Sequence, residues 1–201
     1  MRILISTIFL TLATTLSTPV FAQTSNFLVY FDIKLKGAGA GGAMMNGSTI
    51  TMMFLGNKFR VDTDMAMANT SLIGDGKSAI MLMEGMGQRG YQTMPTDQDP
   101  DLEQPKVRYT GATKTIAGYA TKQVILTNAD GTEIELWVAE SLQPANSASQ
   151  FSFEGVKGMP LQMDVEMQGM KVHLTAYEVD TEAPDASLFD MTPPPGFRKM
   201  N

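Results

Sequence analysis

The chain has 201 residues, 21 acidic against 15 basic ones, one histidine and no cysteine. A net charge of −6 argues against nucleic acid or an anionic membrane surface as a partner, because both are held by positive patches. Without cysteine there is no disulfide, no thiol nucleophile and no thiol to carry an amino-terminal lipid, so the core alone must stabilise the fold.

From the amino terminus, Arg2, the apolar stretch from Ile3 to Leu16 and the closing Pro19-Val20-Phe21-Ala22 read as a helical secretory signal. Small residues stand three and one positions before a cut after Ala22. The stretch is shorter than the roughly 20 apolar residues that a spanning helix needs. The expectation is therefore a cleaved signal over 1–22 and a single domain over 23–201, periplasmic and without a transmembrane anchor.

Beyond Gln23 the pattern is mainly β with minor α. Phe27 to Lys36 alternates apolar and polar residues and runs into Gly37-Ala38-Gly39-Ala40-Gly41-Gly42, a loop without side chains to pack. Thr49 to Leu55 and Lys58 to Asp64 flank Gly56-Asn57, a hairpin signal. Ser71 to Ile73 and Ala79 to Met83 flank Gly74-Asp75-Gly76-Lys77, and Arg89 to Met94 adds a short strand. Pro95 to Pro105, rich in proline and acid, reads as a surface loop. Glu140 to Gln150 and Asp185 to Phe189 leave room for one or two short helices, and Phe197 follows Pro193-Pro194-Pro195-Gly196 as an anchor for the tail.

Two hairpins can be given a register. Asn128-Ala129-Asp130-Gly131 suits a type I turn with a left-handed Gly131, pairing Asn128 with Thr132. That opposes Leu126 to Ile134, Val124 to Leu136 and Lys122 to Val138 on one face, and sets Trp137 opposite Gln123 on the other. A turn at Gln168-Gly169 opposes Met167 to Met170, Val165 to Val172 and Met163 to Leu174. Its other face pairs Glu166 with Lys171 and Asp164 with His173, contacts of about 0.2–1 kcal/mol each that tune register.

The chemistry-bearing residues are sparse. His173 alone cannot build a usual zinc site, and reads as a surface pair with Asp164. Gly76-Lys77-Ser78 lacks the glycine and the helix of a phosphate loop. Asp97, Asp99 and Asp101 have the spacing of a calcium loop, but Pro100 interrupts it. No nucleophile, base and orienter assemble, so the chain reads as non-enzymatic, with no cofactor and no metal in the leading reading. Methionine is the anomaly, 17 in all. Thioethers are soft ligands, so a copper(I)-binding protein using Met81 and Met83 is the alternative to a pliable apolar interior.

Lys114 to Lys122, running through Gly131 to Val138, and the ending Leu188-Phe189-Asp190 with Pro195-Gly196-Phe197 resemble the exported bacterial proteins grouped as domain of unknown function 4412. That family is similar in outline to lipoprotein-carrier-like domains. The resemblance implies a strongly curved antiparallel sheet or half-barrel around one or two short helices, with an apolar cavity and no established active site. Gly118 and Tyr119 then read as a turn glycine and an aromatic plug. The expected ligand face carries Met81, Met83, Met163, Val165, Met167, Met170, Val172 and Leu174, and takes a lipid, another apolar small molecule or an envelope protein.

Overall fold

Alternating apolar and polar side chains, broken by glycine turns, fold the described residues as strands almost throughout. The computed structural model describes residues 23–36, 47–95, 104–145, 155–167 and 170–200. The strands are β1 (Phe27–Lys36), β2 (Thr49–Leu55), β3 (Lys58–Asp64), β4 (Ala68–Gly74), β5 (Ser78–Gly85), β6 (Gln88–Pro95), β7 (Lys106–Ile116), β8 (Tyr119–Thr127), β9 (Glu133–Ala139), β10 (Met159–Met167), β11 (Met170–Asp180) and β12 (Arg198–Lys199). They form one sheet in the order β12-β6-β5-β4-β3-β2-β1-β11-β10-β9-β8-β7. Two meanders, β2 to β6 and β7 to β11, are thus joined where β1 lies between β2 and β11. All neighbours are antiparallel except β12, which runs parallel to β6.

The sheet is open and strongly curved, as expected. Register shifts at Tyr30/Phe31, Tyr109/Thr113 and Pro160/Gln162 bend the strands. The bending brings β7 back into contact with β11, although three strands separate them in the sheet order. Both predicted registers hold, pair for pair, in the β8–β9 and β10–β11 hairpins. At the first, Asn128 N–H donates to the Thr132 carbonyl at 2.9 Å, and Gly131 takes φ 83°. The β7–β8 turn is Ala117-Gly118, both left-handed at φ 47° and 84°, a two-residue turn whose twist matches the flanking strands.

Helix is limited, among the described residues, to the 3-10 turn Ala186–Phe189, capped by Asp185, whose carboxylate accepts from the Ser187 N–H at 2.8 Å. Residues 140–145 contain no helical turn. They close one end of the sheet instead, with Thr24 N–H donating to the Ser141 carbonyl and Leu142 fully buried. The signal helix, the Gly37–Gly42 loop, the Asp97–Asp101 triplet and the turn residues Gln168-Gly169 lie outside the described residues.

Adjacent residues in β2, β4 and β5 are buried on opposite faces. Met52, Leu72 and Ala79 join the main core with Phe27, Val29, Phe54, Phe59 and Leu161. Their neighbours Met53, Ile73 and Ile80 form a second cluster on the other face, closed by Phe189 with Leu188 and Met191. A third cluster, Val124, Leu126, Leu136 and Val138, is covered by Val156. Arg60 fixes the segment that covers the second face. Its Nε donates to both Asp62 carboxylate oxygens, at 2.8 and 2.9 Å, and its Nη1 donates to the Leu188 carbonyl at 2.9 Å.

Arg60→Met keeps the side chain's length and removes this tether, a loss expected to lower stability by about 1–3 kcal/mol, as for hydrogen bonds to a charged group. Urea unfolding measures it, and limited proteolysis is expected to cut residues 181–197 faster in the variant. The carboxylates of Asp75, Asp130, Asp185 and Asp190 accept turn N–H groups, which lower each pKa below the ordinary 3.8. A depressed folded pKa makes this stabilisation complete above the unfolded value and lost as pH falls through the folded one. Melting temperature should therefore fall with pH below 3.8, and less steeply in Asp75→Asn.

Candidate functional site

Two assemblies of polar or soft side chains stand out, the first bordering the main core through the buried Trp137. The first is a polar row across β9, β10 and β11. The registers Asp164–Glu135 and Gln162–Trp137, then Asp164–His173 and Gln162–Thr175, put these six residues on one face. Asp164 Oδ1 pairs with His173 Nδ1, and His173 Nε2 lies 2.8 Å from Thr175 Oγ1. Gln162 Nε2 donates to Asp164 Oδ2 at 3.1 Å, and Trp137 Nε1 donates to Glu135 at 2.7 Å. Lys114 reaches in from β7, donating to Gln162 Oε1 at 2.6 Å with its ammonium 3.9 Å from the Trp137 ring centroid. Desolvation is the largest influence on Lys114 and lowers its pKa below 10.5, against the opposing pull of Glu135 and Asp164.

Hydroxyl, imidazole and carboxylate follow one another here in the order of a nucleophile, base and orienter. The expected surface pair of His173 with Asp164 is therefore present, with Thr175 as a third member. Acyl transfer also requires donors aimed at a developing oxyanion. Strand β11 is hydrogen-bonded on both sides, to β1 and to β10, so its backbone N–H groups at the row are already engaged in the sheet. The row is a hydrogen-bonded network across β9, β10 and β11, capped by the Lys114 ammonium over the Trp137 ring.

The second assembly is a groove of about 1460 Å³ at one end of the sheet, beside the β3–β4 and β5–β6 turns. It is lined by Met65, Met67, Met83, Met86 and Met200, with Glu84, Arg89 and Arg198 among its polar residues. Two glycines make it possible. A β-carbon on Gly85 would lie 2.7 Å from the Met67 carbonyl oxygen, and one on Gly90 would lie 2.5 Å from Met200 Sδ. Gly85 thus admits the Met65–Met67 turn against β5, and Gly90 leaves the place that Met200 fills. The main chain adds to the second approach, since Met200 N–H donates to the Tyr91 carbonyl at 2.8 Å. Arg89 pairs with Glu84 at 2.6 Å.

The residues expected on a single ligand face are placed differently from one another. Leu174 is buried in the main core, with Met81, Met163 and Val172 packed against it, and Val165 is half-buried. Of those whose side chains are described, Met83 alone lines the groove. Met167 and Met170 pair across the hairpin, and their side chains lie outside the described residues.

The family described as domain of unknown function (DUF4412) matches residues 42–197. The chain belongs to this family. The DUF4412 match runs from ahead of β2 through β11 and the 3-10 turn, and ends just before Arg198 and Met200. It includes both passages that carry the resemblance, among them the Ala117-Gly118 turn. No curated protein matches the chain. Solved structures similar to it include a crystal structure of MucB, 14% identical with TM-score 0.41, covering 86% of this chain and 59% of that one. The MucA/MucB complex of Pseudomonas aeruginosa is 14% identical with TM-score 0.49, covering 83% and 56%. MucB in complex with periplasmic MucA is 15% identical with TM-score 0.46, covering 83% and 54%. The chain thus spans less than two thirds of the length of these proteins.

The sequence pattern located Met83 but not its company. Met65, Met67 and Met86 sit in turns, where period-two alternation says nothing about direction, and Met200 arrives from the far end of the chain. Gly85→Ala tests the close approach that shapes this end of the DUF4412 domain. It is expected to destabilise the fold by about 1–3 kcal/mol, as overpacking does, and to shift the amide resonances of residues 65–68. Unchanged stability and unchanged resonances would contradict the stated contact.

Proposed function

We propose that this protein is a non-enzymatic, exported binding protein that holds an apolar small molecule or acyl chain in the methionine-lined groove. The observation that carries this reading is the groove itself. An open cleft of about 1460 Å³ faced by five methionines, with polar residues such as Glu84, Arg89 and Arg198 beside them, offers deformable apolar side chains to a ligand that also carries a polar end. Thioether side chains repack around ligands of different shape, so selectivity for one exact outline is not required. The pattern of residues 1–22 supports export, and the net charge of −6 supports a ligand that is not itself a polyanion.

The non-enzymatic part of the reading draws on the setting of His173, the one histidine of the chain. The backbone N–H groups of β11 beside it are committed to the ladders with β1 and β10, so they do not serve as oxyanion donors. An apolar stretch of an envelope protein is the other occupant this surface would suit.

Native mass spectrometry of delipidated protein with palmitate and with lysophospholipid tests the proposal. One-to-one adducts are expected, weakened at least tenfold by Met83→Lys, which places a charge in the groove. Absence of adducts with both ligands, or equal binding by the variant, contradicts it.

A further inference from the structure

We propose that Met65, Met67, Met83, Met86 and Met200 form a thioether site for a cuprous ion. The structural warrant is a juxtaposition that sequence order hides. Met65 and Met67 are two residues apart in one turn, and Met83 and Met86 flank the start of the next. Strand pairing sets those turns side by side, with Ala68 opposite Gly85. The close approach of the Met67 carbonyl to Gly85 shows that the two turns are in backbone contact, without an intervening side chain. On the adjoining strand Met83 lies directly opposite Gly90, and the Met200 sulfur fills the space over that glycine. Neighbouring strands lie about 5 Å apart, so Met83 and the Met200 sulfur over Gly90 are within reach of one another through flexible thioether side chains.

Met86 supplies an independent observation. It occupies the first position of a two-residue turn at φ 51°, a left-handed conformation that asparagine, aspartate or glycine adopts more readily, and it is 82% exposed. Neither propensity nor burial favours methionine there, whereas a sulfur ligand at the mouth of the groove does. Met81 provides the contrast. It shares a strand with Met83 yet packs against the main core, so it is not a member of the site.

The donor set selects the ion. Thioethers are neutral and soft, and bind copper(I) or silver(I) in preference to hard cations. The groove's one carboxylate, Glu84, is already paired with Arg89, and Arg198 adds positive charge. Both features disfavour a divalent, oxygen-seeking ion more than a monovalent soft one. The site shares the groove assigned above to an apolar ligand, but the two readings separate cleanly. Leucine preserves the apolar surface and removes the sulfur.

Silver(I), a redox-inert stand-in, and copper(I) held reduced by ascorbate are titrated into the protein against a competing chelator. Stoichiometric uptake is expected, weakened at least tenfold by Met83→Leu combined with Met200→Leu and unchanged in Met81→Leu. Palmitate binding is expected to survive the double substitution. With methionine methyls carbon-13 labelled in the wild-type protein, silver should shift the five groove resonances and leave those of Met81 and Met163 in place. This arm does not depend on a variant that folds. No uptake, uptake unaffected by the double substitution, or shifts outside the groove would each overturn the site.

Discussion

A sheet that is apolar on both faces must be covered twice, and this requirement governs the molecule. In β2, β4 and β5 successive residues, Met52 and Met53, Leu72 and Ile73, Ala79 and Ile80, are buried on opposite sides. The curved sheet encloses one side by itself. The other is covered by the carboxy-terminal segment, with Phe189 inserted and the Arg60 guanidinium holding the Leu188 carbonyl. Arg60 is in turn oriented by Asp62, its near neighbour on β3. The tail is thus held by the buried Phe189, by the Arg60–Leu188 hydrogen bond and by its pairing with β6.

That path has a functional consequence. After the 3-10 turn the chain reaches β6 and pairs with it through Arg198 and Lys199, which carries Met200 onto Gly90. The groove is thus assembled from two adjacent turns of the meander and the end of the tail. A two-residue parallel strand is a weak attachment, and local opening there requires the loss of few hydrogen bonds. The place of Met200 over Gly90 is consequently tied to the stability of the tail, while the sheet beneath stays paired.

Much of the architecture can be read from residue order, for identifiable reasons. The β8–β9 and β10–β11 registers follow from turn chemistry together with two faces that agree, so a one-residue slip would invert both patterns. Strand β7 is harder to see, because Lys106 to Ile116 is polar on both sides and its register breaks between Tyr109 and Thr113. Lys114 joins the polar row only because curvature brings β7 across the sheet, which no local period encodes. The tail is similar. Phe197 looks like its anchor by composition, yet Phe189 is the buried aromatic and Phe197 is half-buried beside Pro194 and Pro195. Period two correctly puts Met81 and Met83 on one side of β5. It does not show that the core ends between them and the groove begins.

The groove therefore depends on the tail being docked, with Met200 seated on β6. Amide hydrogen exchange of the native protein tests this most directly, through the Met200 N–H that donates to Tyr91. In a docked tail Met200 exchanges far more slowly than a free peptide, and Leu188 and Asp190 are protected with it. Exchange of Met200 at the free-peptide rate, with β5 and β6 still protected, would contradict it.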